Sequence, residues 1–76
     1  MRFYEGFEYI DLEVNRIYMI YKISDHSYYA LVHYLDEDEI NWFPVLEPIR
    51  LDKLQINLKN GMYIENTLIN RILYKK

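Results

Sequence analysis

Residues 14–35 read VNRIYMIYKISDHSYYALVHYL and carry the strongest structural pattern in the chain. Residues 14–23 and 28–35 are rich in isoleucine, valine and tyrosine, which suit the half-buried surface of a β-sheet. The four residues between them, 24–27, are small or polar and favour a turn. This segment therefore predicts an antiparallel hairpin of two long strands joined by a four-residue loop.

Four consecutive carboxylates follow the hairpin: Asp36, Glu37, Asp38 and Glu39. They repel one another and cannot be buried without partners, so they indicate an exposed turn. Residues 40–46 then predict a third strand. Because Pro44 has no backbone N–H, this strand is expected at an edge of the sheet or at a bulge.

A further strand is predicted at residues 54–58, where apolar and polar residues alternate. The Asn60-Gly61 pair that follows is a strong hairpin signal. A three-residue loop ending at Gly61 pairs Ile56 with Ile64, apolar against apolar. In that register Gly61 takes the left-handed conformation, which glycine adopts without steric cost.

The last segment, residues 66–76, favours a short helix. Four apolar residues fall on one helical stripe: Leu68, Ile69, Ile72 and Leu73. Asn66 is a suitable N-cap, and the two terminal lysines suit a helix C-terminus. The alternative is a helical turn at 67–69 followed by a strand at 71–74, which the β-branched isoleucines favour.

Short strands separated by tight turns indicate a mainly β protein. We expect a small antiparallel barrel of the SH3-like or OB-like kind with a short C-terminal helix. Residues 12–18 and Trp42-Phe43-Pro44 resemble the opening strands of many SH3-like barrels. The 76 residues are too few for two domains, so residues 1–76 are expected to form a single small domain.

The composition indicates the cellular compartment and the surroundings expected of the protein. It has no cysteine, which removes disulfides and thiol chemistry and favours a reducing, cytoplasmic setting. Glu5 and Gly6 interrupt the N-terminal region where a signal peptide needs an apolar run. No apolar run approaches the roughly 20 residues of a membrane span, so we expect no membrane contact. The apolar content of 51% is high and suggests burial against a partner or a second copy.

No set of residues points to catalysis. The two glycines are isolated in the sequence and do not form a phosphate-binding loop. Ser24 and Ser27 flank His26 with a spacing unlike that of a catalytic triad. His33 shares a strand face with apolar residues and is expected in the core or at its rim rather than on a metal. We therefore expect a protein that is not an enzyme and that uses no metal or other cofactor.

Tyrosine and charge are distributed unevenly. Seven of the nine tyrosines lie in residues 1–34. Residues 1–47 hold 10 acidic and 3 basic residues, whereas residues 48–76 hold 2 acidic and 6 basic residues. Tyrosine is enriched in protein-binding surfaces, and the acidic charge around these tyrosines would repel the phosphates of a nucleic acid. A protein partner is therefore favoured over nucleic acid.

The predicted partner-binding surface combines aromatic residues with the acidic turn: Tyr28, Tyr29, Asp36, Glu37, Asp38, Glu39, Trp42 and Phe43. We expect an accessory inhibitor or adaptor, of the kind found in phages and mobile elements, that docks on a larger protein. Two alternatives remain open. One is a barrel that binds single-stranded nucleic acid by aromatic stacking and a basic C-terminal region, and the other is a structural homo-oligomer such as a dimer.

Overall fold

The computed structural model describes residues 3–35, 39 and 41–74. Within them the elements follow in this order: β1 (Glu8–Asp11), β2 (Arg16–Ser24), β3 (Ser27–Tyr34), β4 (Phe43–Pro44), β5 (Ile49–Arg50), α1 (Leu51–Lys59), β6 (Tyr63–Glu65) and α2 (Leu68–Tyr74). The strands form one antiparallel sheet in the order β4-β3-β2-β1-β6, and β5 also pairs with β3. The prediction of a mainly β protein is confirmed.

The hairpin predicted at residues 14–35 is formed by β2 and β3. Its ladder closes at Ser24 opposite Ser27, so the loop consists of Asp25 and His26 and not of the four residues predicted. Asp25 has a φ of 52°. Aspartate tolerates this left-handed conformation better than most residues, which permits the tighter turn.

A β-bulge in β2 changes which residues share a face of the sheet. The pairing with β3 shifts between Ile20 and Lys22, so Tyr21 is an extra residue in the strand. Strict alternation would place Ile20 and Ile23 on opposite faces. Because of the bulge, Ile23 packs against the same core as Ile20.

Residues 51–59 form helix α1, so the strand predicted at residues 54–58 is wrong. Three leucines share the side of this helix that packs against the sheet: Leu51, Leu54 and Leu58. Ile56, which the predicted strand places in the core, is 61% exposed. The helix packs against one face of the sheet and buries Leu54 completely.

Asn60 and Gly61 end helix α1 instead of forming a hairpin loop. The Asn60 N–H donates to the Ile56 carbonyl at 3.0 Å, and Gly61 follows with a φ of 83°. The left-handed conformation predicted for Gly61 is therefore confirmed. Its cause is different, since glycine is the preferred left-handed residue directly after a helix C-terminus.

The main core lies between α1 and one face of the sheet. Its buried members are Phe7, Tyr9, Ile20, Tyr28, Ala30 and Leu54. On the opposite face Ile10, Ile17 and His33 are buried as well. Both faces of the central strands are therefore apolar, which explains why β2 lacks a polar side in the sequence.

The sheet is open in the part of the chain that the structure describes. β4 and β6 lie at its two ends, and no pairing joins them. The predicted SH3-like or OB-like barrel is therefore not confirmed, because helix α1 uses the residues that would have supplied a further strand. Of the strand predicted at residues 40–46, Ile40 lies outside the described residues, and β4 covers only Phe43–Pro44 of residues 41–46. Pro44 lies at the sheet edge as predicted.

Residues 68–74 form α2, which confirms the predicted short C-terminal helix. Its first turn is capped by Thr67, whose Oγ1 accepts a hydrogen bond from the Asn70 N–H at 3.1 Å. Asn66, predicted as the cap, instead donates from its backbone N–H to the Glu8 carbonyl at 2.9 Å. This bond continues the β1–β6 ladder, so α2 begins at the edge of the sheet opposite β4.

Candidate interaction surface

An aromatic cluster lies at the edge strand β4. Phe43 pairs with Val32, two residues before Tyr34 in β3, so Phe43 and Tyr34 lie on the same face of the sheet. Their ring centroids are 6.4 Å apart. Arg16 pairs with Tyr34 across the hairpin, and its guanidinium carbon lies 5.0 Å from the centroid of the Tyr34 ring. This distance is typical of a cation–π contact.

Trp42 lies next to this cluster, on the other face of the sheet. Its ring centroid is 5.6 Å from that of His33. His33 is buried, as its strand position predicts, and its Nδ1 lies 3.2 Å from the Asn41 carbonyl oxygen. Because successive side chains alternate between faces, Trp42 and Phe43 straddle the edge of the sheet. We name the following residues the aromatic edge: Arg16, Tyr34, Trp42 and Phe43.

The aromatic edge is packed against neighbouring side chains but remains accessible. Phe43 is 46% exposed, and the other three members are half-buried. Tyr34 is held between Phe43 and Arg16, and Trp42 is held against the buried ring of His33. Side chains that are already fixed lose less rotamer freedom when a partner binds.

A second aromatic patch arises from the bulge in β2. Tyr29 follows the buried Tyr28 in β3 and therefore lies on the face of the sheet opposite α1. The Tyr21 ring centroid is 6.3 Å from that of Tyr29, and the Lys22 Nζ is 5.5 Å from the same ring. Tyr21 is 44% exposed. The patch thus presents two rings with one cation beside them.

The residues predicted to bind a partner are divided between different parts of the molecule. Trp42 and Phe43 belong to the aromatic edge, and Tyr29 belongs to the second patch. Tyr28 has none of its surface exposed, so its side chain is part of the core and not of a surface. Glu39 is exposed. Three further predicted residues lie outside the described residues: Asp36, Glu37 and Asp38.

The core contains a cluster of tyrosines that the sequence pattern did not reveal: Tyr9, Tyr18, Tyr28 and Tyr63. The Tyr9 ring is stacked on Tyr18 at 5.1 Å and on Tyr63 at 4.9 Å between centroids. The Tyr9 and Tyr28 hydroxyls form a hydrogen bond of 2.5 Å. Tyr9 lies in strand β1, which was not predicted, and both Tyr9 and Ile10 are buried there on opposite faces of the sheet.

Burial raises the pKa of both hydroxyls above the ordinary tyrosine value of 10.0, and the proximity of Tyr28 adds to the effect on Tyr9. A buried tyrosinate would lose its hydration without gaining a cation. Tyr9 and Tyr28 therefore stay neutral and serve packing, whereas exposed rings such as Tyr21 remain available to a partner.

Helix α2 carries an apolar surface that the rest of the described chain does not cover. Four of its side chains are 68–74% exposed: Leu68, Ile69, Ile72 and Leu73. Asn70, on the other side of the helix, donates from Nδ2 to the Glu65 carbonyl at 2.8 Å. The helical stripe predicted from the sequence exists, but it points away from the protein and not into a core.

Within residues 3–35, 39 and 41–74, no three histidine, aspartate or glutamate side chains lie close enough together to hold a metal ion. No helix in these residues has the length and apolar content needed to cross a membrane. Comparison with protein-family models, curated proteins and solved structures finds no match to this chain.

Proposed function

We propose that this chain is a non-enzymatic interaction module, an accessory inhibitor or adaptor, that docks on a larger protein through the aromatic edge. The observation that carries the proposal is the contact of Tyr34 with both Arg16 and Phe43, beside the edge strand β4. Tryptophan, tyrosine and arginine are over-represented among the few interface residues that dominate binding free energy. The aromatic edge brings all three types together.

The acidic residues that follow Leu35 in the sequence determine the charge that we expect of the partner. Residues 36–39 are four consecutive carboxylates, and they join Tyr34 and Leu35 to the segment that carries Trp42. Carboxylates beside an interface attract a basic surface and accelerate association more than they strengthen the complex. The proposed partner is therefore a protein with a basic rim around an apolar pocket.

The first experiment tests whether the aromatic edge binds this partner. The tagged chain is used to capture proteins from host lysate at two salt concentrations, in parallel with Phe43→Ala and Tyr21→Ala. Tyr21 is a matched control because it is an aromatic residue of similar exposure outside the aromatic edge. We expect one protein that wild type and Tyr21→Ala retain and that Phe43→Ala loses. Equal capture by all three chains, or no protein captured at the lower salt, would contradict the proposal.

The second experiment tests the acidic residues by measuring association kinetics with the captured protein. Replacing residues 36–39 by Asn and Gln removes four negative charges while keeping similar side-chain volumes. The variant should stay folded, associate more slowly and show a weaker dependence of the association rate on salt. An unchanged association rate and an unchanged salt dependence would mean that these residues take no part in binding.

A second candidate function is binding of single-stranded nucleic acid, which the Tyr21, Lys22 and Tyr29 patch favours because exposed rings beside a cation suit stacking on bases. The charge of the chain weighs against it, and Arg50 is already paired with Asp52 at 2.9 Å. Fluorescence anisotropy with a labelled single-stranded oligonucleotide at low salt measures this binding. Weaker binding by Tyr21→Ala than by Phe43→Ala would support the nucleic-acid function.

A further inference from the structure

The four exposed apolar residues of α2 follow a symmetric order along the chain. Residues 68–73 are Leu-Ile-Asn-Arg-Ile-Leu, so the order of leucine and isoleucine reverses about the point between Asn70 and Arg71. In an α-helix successive residues turn by about 100°, which places the four apolar side chains symmetrically on one side of α2. Asn70 and Arg71 then lie on the other side, and Asn70 contacts the body of the protein there.

We propose that α2 is the interface of a homodimer in which two α2 helices pack antiparallel across a two-fold axis. The axis passes through the centre of the stripe. Leu68 then lies opposite Leu73 of the second copy, and Ile69 lies opposite Ile72 of the second copy. A two-fold interface requires a self-complementary patch, and the reversed order of these residues supplies one. This proposal is independent of the function proposed for the aromatic edge.

The exposed area agrees with a dimer of modest size. Four aliphatic residues at 68–74% exposure present roughly 500 Å², in the upper part of the roughly 300–600 Å² that the largest apolar patch of a typical monomer covers. Two such patches bury about 1,000 Å² together, which is the lower limit for a specific interface.

Charge and geometry allow two copies to approach. The stripe itself contains no charged residue, and Arg71 lies outside it, so the pairing buries no charge. Antiparallel helices also bring the positive end of each helix dipole near the negative end of the other. α2 follows β6, at the edge of the sheet opposite β4. At about 4.8 Å per strand β4 lies roughly 19 Å from β6, so Phe43 in β4 stays away from the α2 interface.

The test uses the full chain and a pair of charge variants. One variant carries Ile69→Lys and Ile72→Lys, and the other carries Ile69→Glu and Ile72→Glu. In the proposed geometry each variant alone sets like charges opposite one another, whereas a mixture sets lysine opposite glutamate. Ile56→Lys is the matched control, because Ile56 is an isoleucine of similar exposure on the other helix. Circular dichroism verifies that each variant is folded.

Sedimentation velocity at about 100 µM then measures the oligomeric state, a concentration at which a dimer with a micromolar Kd is almost fully formed. We expect dimers for wild type and Ile56→Lys, monomers for each charge variant alone, and a heterodimer when the two are mixed. A monomeric wild type would overturn the proposal. A dimeric lysine variant would overturn it as well, since a different surface would then hold the copies together.

Discussion

The hydrogen bond between Tyr9 and Tyr28 should contribute to stability mainly by keeping both hydroxyls satisfied. Tyr9→Phe leaves the Tyr28 hydroxyl buried without its partner, and Tyr28→Phe does the same to the Tyr9 hydroxyl. The two residues are 1% and 0% exposed, so water cannot easily replace the missing group. A buried polar group without a partner costs about 1–3 kcal/mol.

The double variant shows whether the cost comes from the hydroxyl that each single substitution leaves unpaired. We expect each single substitution to lower the free energy of unfolding by about 2 kcal/mol, which shifts the Tm of a domain of this size by roughly 10 °C. Replacing both residues removes both polar groups and keeps the stacked rings, so the double variant should lose less than about 1 kcal/mol. The losses would then fall short of additivity by about 3 kcal/mol.

Urea unfolding followed by the fluorescence of Trp42, the one tryptophan in the chain, measures these differences. The unfolding free energy should fall with urea concentration at a similar slope in the wild type, the two single variants and the double variant. Similar slopes would show that the same unfolding transition is observed in each protein. Additive losses, or single variants as stable as the wild type, would refute the argument. Either result would mean that each hydroxyl finds another partner in the core.

Three further predictions concern the core and the end of α1. The free energy of unfolding should fall above pH 10 by about 1.4 kcal/mol per pH unit for each of Tyr9 and Tyr28. The pKa of each hydroxyl is raised in the folded state, so the unfolded chain loses these protons first and is stabilised as the pH rises. Urea midpoints from pH 9 to 12 measure this loss, and the double phenylalanine variant should show a smaller one. Gly61→Ala should lower the free energy of unfolding by about 1 kcal/mol through its left-handed backbone conformation alone, since an added Cβ would meet no atom within 4 Å. Gly61→Asn should cost less, because asparagine adopts this conformation more readily, and thermal unfolding compares the two variants. Leu54→Ala should cost about 2–5 kcal/mol by leaving a cavity, whereas Ile56→Ala should change stability by less than about 0.5 kcal/mol, and equal losses in urea unfolding would contradict the helix.

The long hairpin was predictable because its signal is local and redundant. β2 and β3 combine residues that favour strands with a short polar turn, and no competing pattern fits them. The bulge at Tyr21 was not predictable from alternation, because a bulge breaks the period on which the prediction rests. Strand β1 is only four residues long, and neither its length nor its composition separates it from a loop.

Helix α1 was missed because its leucines fit two periods. Leu54 and Leu58 lie four residues apart, which matches both an alternating strand and one side of a helix. Leu51 and the Asp52 and Lys59 charges at the helix ends favour the helix, but Asn60-Gly61 is typical of both hairpin turns and helix ends. Only tertiary burial decides between the two patterns, since a helix is needed to cover the sheet.

The candidate surface was predictable only where residue type alone identifies a member. Trp42 and Phe43 were identified by residue type, and the structure adds that they lie on opposite faces of one edge. Arg16 was not identified, because its contact with Tyr34 depends on hairpin register. Tyr28 and Tyr29 are neighbours of the same type. Which one is buried depends on which face of β3 packs against the core, and the sequence does not give this.

The bulge in β2 has the character of a one-residue insertion. Without Tyr21, Ile20 and Ile23 would be separated by Lys22 alone, and ordinary alternation would still direct both isoleucines into the core. A chain that lacks Tyr21 therefore keeps the same interior and the same pairing on either side. The composition of the interior does not depend on Tyr21 in this sense, and its effect is to enlarge the outer surface by one aromatic ring.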